Sequence, residues 1–121
     1  MSLTQVHGAL ANTVMYYFII LAVWGLFRAF RKEGISSNYW GALAIGEILI
    51  LAQGALGVIL WMGGARPERT LHFLYGIIGA LVIPGLYLYT RGEERRQVML
   101  VYGVSLLIAV ALIIRATMTG G

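Results

Sequence analysis

The sequence predicts an all-α fold: an integral membrane four-helix bundle in up-down-up-down order. Three observations predict it. Hydrophobic residues make up 60% of the 121-residue chain, and its mean hydropathy is +0.82, more apolar surface than one soluble core of this size can hide. Charged residues fall in short clusters that divide the chain into four apolar runs. Each run holds roughly 20 residues, the length an α-helix needs to cross about 30 Å of hydrocarbon. Barrel strands would be half as long and would alternate, and in lipid a helix satisfies its own backbone. The whole chain, residues 1–121, reads as one transmembrane domain with spans at about 8–28, 40–62, 71–90 and 97–117.

The first run, Gly8 to Phe27, carries no charge and ends at RAFRKEG. The preceding MSLTQVHG has no basic n-region and no small-residue cleavage pattern follows, so this run is expected to be a retained helix. The second run, Tyr39 to Gly64, contains only Glu47 and is closed by ARPERT. An intramembrane carboxylate reads as functional by default, or as a protonated or snorkelling side chain. Gln53 in the same run, like Asn12 in the first, has the chemistry to hydrogen-bond a neighbouring helix. The third run, Thr70 to Thr90, holds His72 alone, contains Pro84, which is expected to kink it, and ends at RGEERR. The fourth, Gln97 to Thr119, contains only Arg115. Trp24, Trp40 and Trp61, with Tyr16, Tyr17, Tyr87 and Tyr89, read as packing residues and interface belts.

Composition narrows the function classes. The chain has no cysteine, which excludes disulfides, iron–sulfur clusters and thiolate zinc sites. The net charge of +4 reads as arginines flanking membrane spans; the expected partner is the lipid bilayer, with no nucleic acid. The first and third loops carry Arg28, Arg31, Lys32, Arg91, Arg95 and Arg96, against Arg66, Arg69 and Arg115 on the other side. The positive-inside rule puts the richer side in the cytoplasm and both termini outside.

The only two histidines then acquire a pattern. His7 opens the first span and His72 the third, so both belong at similar depth near the outer leaflet on neighbouring parallel helices. Two imidazoles facing one another across a bundle can ligate a heme iron, each nitrogen about 2 Å from the metal. A flat macrocycle also needs small residues beside it. Gly8 and Ala11 neighbour His7, Gly76 and Gly79 share the His72 face, and Gly54 and Gly57 lie near the outer end of the second helix. Arg66, Arg69 and Arg115 approach the same surface and suit propionate carboxylates, or else only mark the interface. A histidine at a helix mouth also often meets only headgroups and water. The halves look weakly alike: Gly63–Gly64 closes the second span, Gly120–Gly121 the fourth, and counting back aligns Gly46 with Gly103. This suggests two pseudo-repeated helical hairpins.

Between Leu51 and His72 the chain resembles the heme A synthase family. The resemblance spans roughly residues 5–90. The matching pieces are His7-Gly8-Ala9-Leu10, Ala52-Gln53-Gly54-Ala55-Leu56-Gly57, Gly63-Gly64-Ala65-Arg66-Pro67 and Leu71-His72. In that family each half is a four-helix bundle holding one heme between two histidines. The resemblance implies that His7 and His72 are the axial metal ligands and that Gln53, Gly54 and Gly57 frame the pocket. The family's first histidine lies in a Glu-x-x-His-Arg motif, where this chain has Thr4 and Gly8. The resemblance therefore implies heme binding without implying the oxidation, and a homodimer would rebuild the family's eight-helix architecture.

Three functional expectations result. The first is a b-type cytochrome of the bacterial or archaeal inner (plasma) membrane, holding heme b for electron transfer or for heme handling linked to respiratory oxidase maturation. The second is a heme-free structural or assembly subunit of a respiratory membrane complex. The third, an enzyme acting on heme or a quinone with Glu47 handling protons, ranks last because no catalytic residue of the family motif is present.

Overall fold

The structure, a computed structural model, describes residues 2–120. Gly121, matched above with Gly64, lies outside the described residues. Four α-helices follow in order: α1 (Leu3–Phe30), α2 (Ser37–Met62), α3 (Leu71–Thr90) and α4 (Arg96–Thr119). All four are long and apolar enough to cross a membrane, and no strand occurs among the described residues. The protein is a multi-pass membrane four-helix bundle.

Helix boundaries follow from local chemistry. α1 starts five residues ahead of the span expected from hydropathy. The cause is a capping box: Gln5 N donates to Ser2 Oγ (3.2 Å) while Ser2 N donates to Gln5 Oε1 (3.0 Å). His7 consequently lies in the second turn of α1, not at its mouth. Ser36 caps α2 by accepting from Tyr39 N at 3.2 Å. α3 occupies the expected residues and runs unbroken through Pro84. It stops where Arg91 and then Gly92 turn to φ of 56° and 69°, the left-handed geometry that ends a helix tightly.

Successive helices alternate in direction. The start of α1, the end of α2, the start of α3 and the end of α4 share one end of the bundle, the histidine end. The two loops rich in arginine form the other. Each helix packs on its neighbours in the chain and α4 closes the ring on α1, so α1 and α3 face each other diagonally, as do α2 and α4. The histidine helices are therefore parallel but not adjacent, which corrects the sequence expectation.

Packing is uneven around the ring. α1 and α4 make the most extensive interface and α2 and α3 the sparsest. Small residues explain the first. Gly25 faces Gly103 so closely that a Cβ on Gly25 would lie 3.3 Å from the Gly103 Cα, and one on Gly103 would lie 3.0 Å from the Leu26 backbone nitrogen. Backbones that approach this way gain dispersion contact that lipid cannot match. A strict twofold relating the two hairpins would make α2–α3 equally close, and it is not.

The core is bulkiest from mid-bundle to the arginine end and continues along α1 and α4 through Val14, Ala109 and Ile113. Phe18, Leu21, Tyr39, Leu43, Met99, Tyr102 and Leu106 are fully buried in its bulkiest part. Tyr39 donates its hydroxyl to the Leu21 carbonyl and Tyr17 to the Ala42 carbonyl, both at 2.6 Å. The two loops are stitched together: Ile35 N donates to the Glu94 carbonyl at 2.9 Å, and Trp40 Nε1 donates to the Glu94 carboxylate at 2.5 Å. At the histidine end, α2 buries no residue after Ile50, and α3 none before Gly79. Replacing Gly103 with leucine is expected to cost about 1–3 kcal/mol by overpacking α1 against α4. Gly41→Leu, where a Cβ meets nothing within 4 Å, is expected to be near neutral. Thermal melting of the two detergent-purified variants checks the contrast.

Candidate functional site

His7 on α1 and His72 on α3, both half-buried, meet across the diagonal of the loosely packed end. Their ring centres are 6.3 Å apart and their planes 74° apart. The separation has a specific meaning. Two imidazole nitrogens on opposite sides of one metal, each about 2 Å from it, put the ring centres about 6 Å apart. Planes near perpendicular are one of the arrangements that two ligands on a common axis adopt.

Each ring is held by different groups. His72 Nδ1 lies 2.8 Å from the Ala116 carbonyl of α4. A carbonyl only accepts, so Nδ1 carries the proton and Nε2 keeps its lone pair. A backbone partner on the far nitrogen is how ligating histidines are commonly oriented. Gly120 fits against the same ring: a Cβ there would come within 2.9 Å of His72 Cε1. The α3–α4 contact is reinforced by Arg69 N, which donates to the Thr119 carbonyl at 3.0 Å.

His7 is fixed from α2. A Cβ on Gly57 would lie 3.3 Å from His7 Cε1, so the absence of a side chain at Gly57 lets the ring sit against the helix. Gln53 donates its Nε2 to the His7 carbonyl at 2.8 Å, tying α2 to α1 one turn away. Two polar atoms in this corner are buried without a hydrogen-bond partner: His7 Nδ1 and Gln53 Oε1. Buried polar groups are normally satisfied, so the orphaned His7 nitrogen makes this corner a candidate binding site.

The remaining expected residues fall into three groups. Gly8, Gly54 and Gly76 are exposed, and a Cβ on any of them would meet nothing within 4 Å. They leave space and make no contact. Gly79 is in the core, 3.3 Å from the Ile50 side chain by the same measure, and lines no histidine pocket. Arg66 is committed to its own loop, donating Nη1 to the Trp61 and Ala65 carbonyls at 2.8 Å and lying over the Trp61 ring at 5.0 Å. The guanidinium groups of Arg69 and Arg115 make no hydrogen bond or ion pair among the described residues, and both residues are exposed. Glu47 has a buried Oε1 without a partner, but it lies ten residues, about 15 Å along α2, from Gly57. Asn12 is exposed.

The sequence reading missed Ala116 and Gly120 as the cradle of His72. The signal was present: two small residues four apart on one helix face, near the end of α4 that the alternating topology brings beside the start of α3. Among the described residues no three histidine, acidic or cysteine side chains gather as a metal cluster; the two histidine rings stand together by themselves. This is a membrane bundle with one paired-imidazole site. No protein family, curated protein or solved structure matches the chain.

The tautomer of His72 is a direct consequence of its partner. Nitrogen NMR of histidine-labelled protein is expected to show His72 protonated at Nδ1, and Gly120→Val is expected to disturb that signal while leaving the fold intact. A His72 protonated at Nε2 alone would contradict the hydrogen bond to Ala116.

Proposed function

We propose that this protein is a membrane b-type cytochrome, holding one heme b between His7 and His72. The observation that carries the reading is the 6.3 Å spacing of the two rings joined to the orphaned His7 nitrogen. The spacing alone also suits an ordinary edge-to-face aromatic pair. Such a pair would not leave an imidazole nitrogen buried and unsatisfied, and a metal would satisfy it.

The residues divide the work of holding the group. His7 and His72 would hold the iron, each through one ring nitrogen. The Ala116 carbonyl orients His72 and raises its basicity. Gly57 and Gly120 let both rings lie against their neighbouring helices, and Gln53 fixes the α1–α2 distance beside the site. A flat group held between the rings would find room toward α2 and α4, the diagonal pair that do not touch. Arg69 and Arg115, free of other partners, suit the propionate carboxylates; Arg66 does not. Held by two imidazoles, the group would supply electron transfer in preference to oxygen chemistry.

The likeness to heme A synthases supports heme handling linked to oxidase maturation as the setting. Thr4 and Gly8, in place of the family's glutamate and arginine, support a carrier over an oxidising enzyme. The excess of arginine and lysine in the first and third loops supports termini outside a bacterial or archaeal plasma membrane, and a homodimer is the partner most consistent with a half-size chain.

Protein purified in mild detergent from heme-replete cells is expected to be red, with sharp visible bands on reduction. His7→Ala and His72→Ala are each expected to weaken heme retention by more than the roughly 10–100-fold that follows loss of a supporting hydrogen bond. Colourless wild-type protein would overturn the reading. If that colourless protein also co-purified with a respiratory complex, the assembly-subunit reading would replace it.

A further inference from the structure

A second feature lies on the other side of α3, away from the histidines. Two cavities open between α3 and α4. One, of about 450 Å³, sits at the arginine end and is lined by Arg91, Arg95, Glu93 and Gln97 above Val98 and Val101. The other, of about 350 Å³, lies deeper and is almost wholly apolar, with Ile78, Val82, Gly85, Ser105 and Ile108 on its walls.

The residue numbers show that the two cavities belong to one groove. On α4 the lining positions include 98, 101, 105 and 108; on α3 they include 78, 82, 85 and 89. Spacings of three and four mark a single stripe along each helix. From Val98 to Ile108 the stripe rises ten residues, about 15 Å. That is half of a hydrocarbon core about 30 Å thick, so the apolar part of the groove is one leaflet deep. Gly85 hollows its floor: a Cβ there would meet nothing within 4 Å.

The mouth is cationic. Glu93 takes the Arg95 guanidinium at 2.6 Å, while Arg91 has no ion pair among the described residues. Its backbone geometry, φ of 56° at the end of α3, places it beside the start of α4. That start has no side-chain cap, so its first N–H groups lack a side-chain acceptor, and Gln97 and Val98 of that first turn line the mouth.

We infer that the α3–α4 groove is a binding site for one anionic phospholipid, its phosphate at Arg91 and the first turn of α4 and one acyl chain along Gly85 and Ser105. A basic headgroup site joined to an apolar channel one leaflet long matches a lipid in both charge and length. A soluble phosphate would leave the channel unused, and a neutral lipid would leave Arg91 without a counter-charge. The site is independent of the histidine pair.

Native mass spectrometry of the purified full chain, titrated with phosphatidylglycerol or phosphatidylcholine, tests this. One phosphatidylglycerol is expected to bind per chain, more tightly than phosphatidylcholine. Arg91→Gln is expected to weaken phosphatidylglycerol binding about fivefold, the effect of one interfacial cation, and Arg31→Gln, in the other loop, is expected to leave it unchanged. Gly85→Phe, which fills the channel, is expected to weaken both lipids, with circular dichroism confirming the fold. Equal binding of the two lipids by wild-type protein would overturn the proposal. So would equal losses in the Arg91 and Arg31 variants, which would mean diffuse charge. Retention of wild-type affinity by Arg91→Gln would do the same even if Gly85→Phe failed to fold.

Discussion

The close approach of α1 and α4 at Gly25 and Gly103 governs the shape of this bundle. In lipid, helices gain nothing by hiding apolar side chains from one another, so association follows backbone proximity and buried hydrogen bonds. Two helix pairs divide these: α1 and α4 have the closest backbones, and α1 and α2 have the buried hydrogen bond. Gly25 and Gly103 bring the backbones together, and Tyr39, anchored by its hydroxyl to the Leu21 carbonyl at 2.6 Å, reaches beneath them, so close that a Cβ on Gly25 would meet its oxygen at 2.6 Å. α2 is drawn in along its first half by Leu43, Gly46 and Ile50. α3 has no comparable small-residue face toward α2, where Gly79 against Ile50 is the one close approach of that type.

The consequence is a bundle tight at one end and loose at the other. Loop hydrogen bonds through Glu94 and Arg28 lock the arginine end. At the histidine end the helices are joined by single polar contacts: Gln53 to the His7 carbonyl, His72 to the Ala116 carbonyl, Arg69 N to the Thr119 carbonyl. Each of these ties a neighbouring pair, α1–α2 or α3–α4, and none crosses the bundle except the pair of imidazoles. Polar contacts thus orient both rings, and one ring nitrogen of His7 has no hydrogen-bond partner among the described residues.

Much of this was legible in the chain, for reasons that can be named. Four spans followed from charge spacing alone, and α3 matched residue for residue because charge and Gly92 both bound it. The early start of α1 was missed although Ser2 and Gln5 have the spacing of a capping box, since hydropathy is silent about polar turns. That both histidines share one end followed from alternating direction. That they sit diagonally did not, because the order of helices around the ring depends on which small residues meet, and Gly25, Gly46, Gly54, Gly57, Gly76, Gly79 and Gly103 are indistinguishable as letters. Gly57 and Gly120 touch the rings, whereas Gly8, Gly54 and Gly76 face open space. Arg66 misled for a similar reason. Its position beside Trp61 and Ala65 lets it close its own loop before it can reach outward.

The asymmetry also separates the histidine pair from the α3–α4 groove. The histidine pair lies on the inner diagonal at one end, where loose packing gives a flat group room. The α3–α4 groove lies on the outer face and opens at the opposite end, where tight loops hold Arg91 in place. α3 serves both, presenting His72 from its first turn and Gly85 from its last two, and it has the least of its apolar length covered by protein of the four helices. A helix so thinly held by its neighbours relies on what surrounds it. A lipid seated along its outer face and a cofactor gripped from its inner one would each add contact that α2 does not supply. With both in place, α3 would be fixed by its ligands as much as by the fold.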